Sequence, residues 1–449
     1  MSHGDRFLRI LGLLLLGYAL IGKGFAYIGF GGIYIGEIVM LYGLAALLAS
    51  ENWSRVLRTA WFWPLLVFMG WCAVRTAPYL SVYGTDALRD AAVWMWGAFA
   101  IIVASLIAAQ PRRLTIIERQ FRFFGKWFLL LAPISWALSN FLTDVNAPWA
   151  DAPMFMVKGG DSTVHITAIF AYAVLCGLDL PNWGILVGIM VNLVLNFTGR
   201  AAMLTFGLGA ALVAALRPRS PIVLSLFPSL LAGVFLLWVL DIHVGTSGAN
   251  DREISAEQVW MNVTGIFSDS NNTVLEGTKE WRLLWWDTII RYTIHGRYFW
   301  TGKGFGVNLA DDDGFQVDKQ DKLRSPHNGH LTMLARAGVP GLALWIALHL
   351  TWALGITWSA WRALSRHQRH WSIWFIVLMI YWMAFMMNAS FDVYLEGPTG
   401  GIWMWTVYGV GIGAMWAYRT CPEALDAAVT QPRSRRATRL SVYARPDLS

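Results

Sequence analysis

What most limits the fold of this chain is a series of apolar stretches, each about one membrane thickness long, recurring from Phe7 to Tyr418. A helix that crosses a bilayer needs about 20 mostly apolar residues. Twelve segments approach that pattern: 7–22, 32–49, 60–77, 91–109, 123–142, 164–180, 183–198, 201–216, 221–240, 331–360, 371–388 and 401–418. The segment 331–360 is long enough to include a turn outside the membrane before Gly338. Charged residues make up only 14% of the chain, against roughly 25% in soluble domains. The pattern therefore predicts an all-α integral membrane protein with about twelve transmembrane helices.

Orientation follows from Lys and Arg in the short loops. Arg6, Arg9, Arg55, Arg58, Arg112, Arg113, Arg119, Arg122, Arg217, Arg219, Arg362, Arg366 and Arg369 all fall on one side of the pattern, and the Arg-rich tail from Arg419 joins them. The alternate short loops carry only Lys23, Arg89, Lys158 and Arg200. Both termini are thus expected in the cytoplasm. The net charge of +7 is spent on topology and does not point to nucleic acid. The N-terminal apolar run reads as an uncleaved first span, because no small-x-small site follows Ile21. Cys72, Cys176 and Cys421 form no disulfide framework and no metal spacing.

This pattern divides the chain into 1–240 (spans one to nine), 241–330 (a loop domain with amphipathic helices on the outer face), 331–418 (spans ten to twelve) and 419–449 (a basic, polar tail expected to be disordered). Residues 143–163 form a second outer loop, and Thr198-Gly199-Arg200 makes a tight outer turn. Within the large loop, 278–294 has helical periodicity, with Trp281, Leu284, Trp285 and Ile289 on one side. It reads as a helix lying on the membrane surface or roofing the bundle.

The polar island is the stretch Trp300–Gly341. It holds a turn with Gly302, Gly304 and Gly306, then Asp311-Asp312-Asp313, then His327-Asn328, and Gly341 opens a long apolar helix. The acidic run reads as a solvated turn. The segment 302–306 is not a nucleotide loop, since it lacks the flanking strand and helix. The sequon Asn271-Asn272-Thr273 carries little weight. A histidine titrates near neutral pH, so His327 is suited to proton transfer at a membrane edge, although a lone loop histidine is ordinarily just satisfied by hydrogen bonds. His330, three residues on, falls on the same side of the incoming helix and is placed beside it.

Arg200 sits at a tight outer turn, where an arginine is costly unless it faces a polar cavity, pairs with an anion or snorkels to the surface. Arg282 lies beside Trp281, Trp285 and Trp286, so stacking on indole competes with a functional role. The planar guanidinium forks of Arg200 and Arg282 are suited to a pyrophosphate and to the charge that develops as it leaves.

These residues resemble the O-antigen ligase/polymerase superfamily, the multispan glycosyltransferases of bacterial envelope biogenesis. The likeness rests on His327-Asn328 followed by Gly338-Val339-Pro340-Gly341, on the Gly302–Gly306 turn, on Arg282-Leu283 in EWRLLWW and on Thr198-Gly199-Arg200-Ala201. Ala201 departs from the glycine frequent there in the family. The resemblance implies metal-independent, inverting transfer of a glycan from undecaprenyl-pyrophosphate, with no cofactor. Arg200 and Arg282 would hold the pyrophosphate, His327 would position or deprotonate the acceptor hydroxyl, and Asn328 would orient the turn. Lys303, His330, Arg75 and Arg89 join as candidate substrate contacts. The protein implied is an O-antigen ligase of the bacterial inner membrane, with its active site facing the periplasm. Its partners would be the undecaprenyl-pyrophosphate-linked donor, a lipid A-core acceptor and membrane lipids. An O-antigen polymerase shares this chemistry, and a transporter would instead line the midplane with charge.

Overall fold

All twelve apolar segments are helical in the computed structural model, which describes residues 1–197, 199–245, 253–267, 273–317 and 323–425. The first half of the chain forms α1 (His3–Leu20), α2 (Lys23–Ala26), α3 (Ile35–Leu48), α4 (Trp63–Tyr83), α5 (Thr85–Met95), α6 (Gly97–Ala109), α7 (Arg113–Phe141) and α8 (Gly159–Leu175). Then come α9 (Asn182–Asn196), α10 (Arg200–Leu216), α11 (Pro221–Val239), α12 (Ala256–Phe267), α13 (Thr273–Thr293) and α14 (Leu309–Asp313). The chain closes with α15 (Gly329–Ser365), α16 (Arg369–Ala389) and α17 (Pro398–Thr420). Among the described residues, strand structure is confined to two short antiparallel pairs, Gly29–Phe30 with Ile33–Tyr34 and Val244–Gly245 with Glu253–Ile254.

Five stretches are long and apolar enough to cross a membrane: Ala60–Tyr83, Thr85–Ala109, Pro221–Val239, Gly329–Ser365 and Arg369–Ala389. The helices Ile35–Leu48, Asn182–Asn196 and Arg200–Leu216 are apolar but shorter. Many outward faces are apolar as well. On α11, Leu224, Phe227, Leu231, Phe235 and Trp238 are all exposed. Such a continuous outer apolar surface suits lipid as solvent and not water.

The centre of the bundle is α17, buried at every residue from Gly400 to Met415. A helix apolar on all sides belongs inside. Its glycines let neighbours approach closely: a Cβ on Gly409 would sit 2.6 Å from the Ala100 carbonyl oxygen of α6. Small residues at helix contacts are the usual device for close packing in lipid. Indole N–H groups tie the same core, with Trp403 donating to the Leu15 carbonyl at 3.0 Å and Trp405 to the Val93 carbonyl at 2.8 Å.

The polar island is built on a break in α15. This helix starts at Gly329, twelve residues before Gly341, and is interrupted at Gly338, whose φ of 71° and ψ of −174° no helix contains. Pro340 has no N–H to give the Arg336 carbonyl, and Val339 N turns instead to the Phe299 carbonyl at 2.8 Å. The carbonyls of Ala335 and Arg336 are therefore open. Lys303 N takes the first at 2.7 Å and Gly304 N the second at 3.0 Å. The Gly302–Gly306 turn is thus sewn onto the kink by backbone hydrogen bonds, and Gly302, Gly304 and Gly306 all have positive φ.

α13 packs on this unit through Trp285 and Ile289, both fully buried. Leu284, expected on the same side, is exposed: the buried stripe steps by four residues, from Trp285 to Ile289, and Leu284 points away from it. Thr198, residues 268–272 (with Asn271 and Asn272 of the sequon) and the tail 426–449 lie outside the described residues.

Candidate active site

Four separate parts of the chain meet around His327. The residue stands immediately before the Asn328 cap of α15, in the left-handed region with φ 53°. Asn328 Oδ1 accepts from the backbone N–H groups of His330 and Leu331, each at 3.0 Å, so its carboxamide oxygen is used to start the helix. The preceding residue is fixed by Trp286 of α13, whose indole donates to the Pro326 carbonyl at 2.9 Å. Held from both sides, the half-buried imidazole places Nδ1 3.7 Å from Asp392 Oδ1.

Asp392 lies in the connection between α16 and α17. Lys158, at the N-terminus of α8, donates to both of its carboxylate oxygens at 3.1 Å, and Val393 N donates at 2.7 Å. Burial pushes this carboxyl up, but His327 and Lys158 outweigh burial and hold it well below the usual carboxylate range. It is therefore an anion throughout the neutral range. Arg282 of α13 reaches the same connection, donating to the Phe391 carbonyl at 3.3 Å, and is close enough to Lys158 to repel it electrostatically. Arg200 opens α10 at this end of the bundle. The turn before it abuts α8, where the Asn196 carbonyl oxygen would lie 3.0 Å from a Cβ on Gly159.

A second charged cluster supports the first. Asp90 of α5 is buried and receives Arg324 on both oxygens, at 3.2 and 2.9 Å, together with Gly306 N at 3.0 Å. Arg336, fully buried in α15, pairs with the same carboxylate at 2.8 Å. Arg324 also donates to the Gly306 carbonyl at 2.9 Å. One carboxylate thus joins α5, the glycine turn, the strand of chain leading to His327 and α15.

Three residues expected at the substrate have internal partners. Lys303 is buried, pairs with Asp312 and Asp313 and lies 4.2 Å above the Tyr292 ring. The acidic run is solvated only in part: Asp311 and Asp312 are exposed, whereas the Asp313 side chain is buried and also accepts from the Trp285 indole at 2.7 Å. His330 accepts the Trp345 indole N–H on Nδ1 at 3.0 Å, which places its proton on Nε2 toward Ser390 Oγ at 3.2 Å. It is a tie between α15 and α16. Arg75 donates to the Thr301 carbonyl at 2.7 Å and so borders the glycine turn. Arg89 is exposed on α5, and the inward-facing residue there is its neighbour Asp90.

Residues 185–346 match the family model for O-antigen ligase. Over that stretch, little more than a third of the chain, the sequence is similar to the O-antigen ligase family. No curated protein matches the sequence. The superfamily implies an enzyme acting on lipid-linked glycans at a membrane. Its matched region carries Arg200, Arg282, Lys303, Arg324, His327, Asn328 and Arg336, whereas Asp90, Lys158 and Asp392 lie outside it. Sequence reasoning missed these three because nothing local marks them. An Asp four residues beyond Asn388 and a loop lysine acquire meaning only once α8, α16 and α17 are packed. The one available signal was that Asp90 and Asp392 are carboxylates next to apolar helices, where unpaired charge is disfavoured.

Proposed function

We propose that this protein is an O-antigen ligase that transfers a glycan from undecaprenyl-pyrophosphate to a sugar hydroxyl of the lipid A-core, on the periplasmic face of the bacterial inner membrane. The observation that carries the reading is the meeting of His327, Asp392, Lys158 and Arg282 at one end of the bundle. It pairs a proton acceptor with fixed positive charge, which a transfer from a pyrophosphate donor requires.

In this reading the Asp392 carboxylate faces Nδ1 of His327 across 3.7 Å, and His327 accepts a proton. The acceptor oxygen attacks the anomeric carbon from the face opposite the pyrophosphate, so configuration inverts. The new C–O bond forms as the bond to the pyrophosphate oxygen breaks, the acceptor's proton passes to His327, and the lipid pyrophosphate departs with the electron pair. Arg282 and Arg200 hold that leaving group, and their guanidinium charge performs the stabilisation that a divalent cation supplies in other phosphate chemistry. Lys158 keeps Asp392 ionised and in place. Asn328, His330, Lys303 and Arg75 shape the site from behind.

The ligase is preferred to the polymerase because one dominant loop carries both Arg282 and His327, and the matching family model is that of the ligase. The test is a reconstitution of purified protein with undecaprenyl-pyrophosphate polymer and lipid A-core, without nucleotide or added metal, read on a gel. High-mass product on lipid A is the expected outcome. A ladder of growing lipid-linked repeats would make the protein a polymerase, and no product from either authentic substrate pair would overturn the transferase reading.

A further inference from the structure

At the end of the bundle opposite His327 lies a cavity that the transfer reaction does not use. It is a narrow cavity of about 100 Å³ between α1, α6, α7, α8, α16 and α17. Its walls are almost wholly apolar, with Leu15, Phe124, Leu378, Trp403 and Val407 among them. Apolar walls alone would be a packing gap. Two polar groups make this one different.

Glu118 lines the cavity and is buried. Its Oε1 accepts from Arg122 at 3.3 Å and from the Tyr172 hydroxyl at 3.4 Å, but among the described residues Oε2 has no hydrogen-bond partner. Thr406 also lines the cavity, is buried, and has a hydroxyl with no partner among the described residues. A carboxylate oxygen buried without a donor is strongly disfavoured, so a donor from outside the chain is the natural complement.

The polarity runs along the cavity. Glu118 lies about a turn before the start of the apolar segment of α7, at the height expected for lipid headgroups, whereas Phe124 and Trp403 lie deeper among the helices. Arg122, one turn further along α7, pairs with Glu118 at 3.3 Å and puts a positive charge beside the carboxylate. A headgroup that offers a cation to Glu118 and a phosphate to Arg122, above an apolar chain, matches all three features. We propose that this cavity binds one acyl chain of a zwitterionic phospholipid whose ammonium group donates to Glu118. An anionic headgroup with no ammonium would bring a second negative charge to the carboxylate and is disfavoured there.

The test uses the full purified chain, delipidated in detergent and titrated with mixed micelles holding phosphatidylethanolamine and phosphatidylglycerol at equal mole fraction, with bound lipid counted by native mass spectrometry. The expected result is one tightly held phosphatidylethanolamine per chain. Glu118→Gln should cut its preference over phosphatidylglycerol about tenfold, and Val410→Phe, which fills the cavity, should remove the bound lipid. Since Val410→Phe can also disturb packing, the wild type is crosslinked in parallel with phosphatidylethanolamine carrying a photoreactive acyl chain. Labelling of Phe121, Phe124 or Val407 supports the site. No retained lipid, equal retention of the two headgroups, or labels confined to outer faces such as that of α11 would overturn it.

Discussion

His327 Nδ1 and Asp392 Oδ1 stand 3.7 Å apart, joined across 65 residues of sequence by the packing of α15 against α16. The carboxylate faces the imidazole across that gap. His327→Ala and Arg282→Ala are expected to abolish transfer while leaving membrane insertion and folding intact. A positioned general base is worth about 10²- to 10⁴-fold, so the His327 variant should lose at least that in kcat. Full activity of both variants in the reconstituted assay would remove them from the site.

Asp392→Asn keeps the shape but not the charge. We expect kcat to fall and KM for the acceptor to change little, because Asp392 acts through His327 and does not touch the sugar. A rise in KM alone, with kcat unchanged, would assign Asp392 to substrate binding instead.

The same carboxylate predicts a pH dependence of stability. Its folded value lies below the unfolded one, about 3.9, so the stabilisation is complete above that pH and is lost as pH falls through the folded value. Thermal unfolding of wild type and Asp392→Asn should therefore differ by a gap that does not shrink between about pH 8 and 5 and closes below about pH 4. A gap that vanished near neutral pH would contradict the ion pairing.

Asp90 holds two arginines, and Asp90→Ala would take the carboxylate from buried Arg336 and leave Arg324 only its pairing with half-exposed Asp86 at 3.3 Å. Breaking a buried pair by removing one partner costs about 3–5 kcal/mol. A large drop in melting temperature together with lost transfer is expected. Melting unchanged from wild type would show that the cluster does not hold the site together.

Lys303 separates two roles cleanly. As the partner of buried Asp313 it is structural, so Lys303→Gln should lower the melting temperature and leave donor KM near wild type in whatever fraction remains folded. A raised donor KM with normal melting would return Lys303 to the substrate.

Gly338 carries the kink. A Cβ there would sit 2.6 Å from the Phe299 carbonyl oxygen, at a φ of 71°. Strain of this kind costs about 1–3 kcal/mol before the clash is counted. Gly338→Ala is expected to melt earlier than wild type and to lose activity, as checked by circular dichroism and the transfer assay. A melting temperature equal to that of wild type would mean that the kink tolerates a side chain.

By itself the sequence determined the helical class, the helical character of its apolar segments and the polar island with His327 at its centre. These are local properties: apolar runs, glycine turns and a cap write themselves in consecutive residues. Tertiary structure alone decided which charges face one another. It brought Asp392 and Lys158 to His327, turned Asp90 inward and left Arg89 outside, and gave Lys303 and His330 internal partners. The physical reason is that a charge in an apolar bundle is settled by its partner, and the partner is chosen by how distant helices pack.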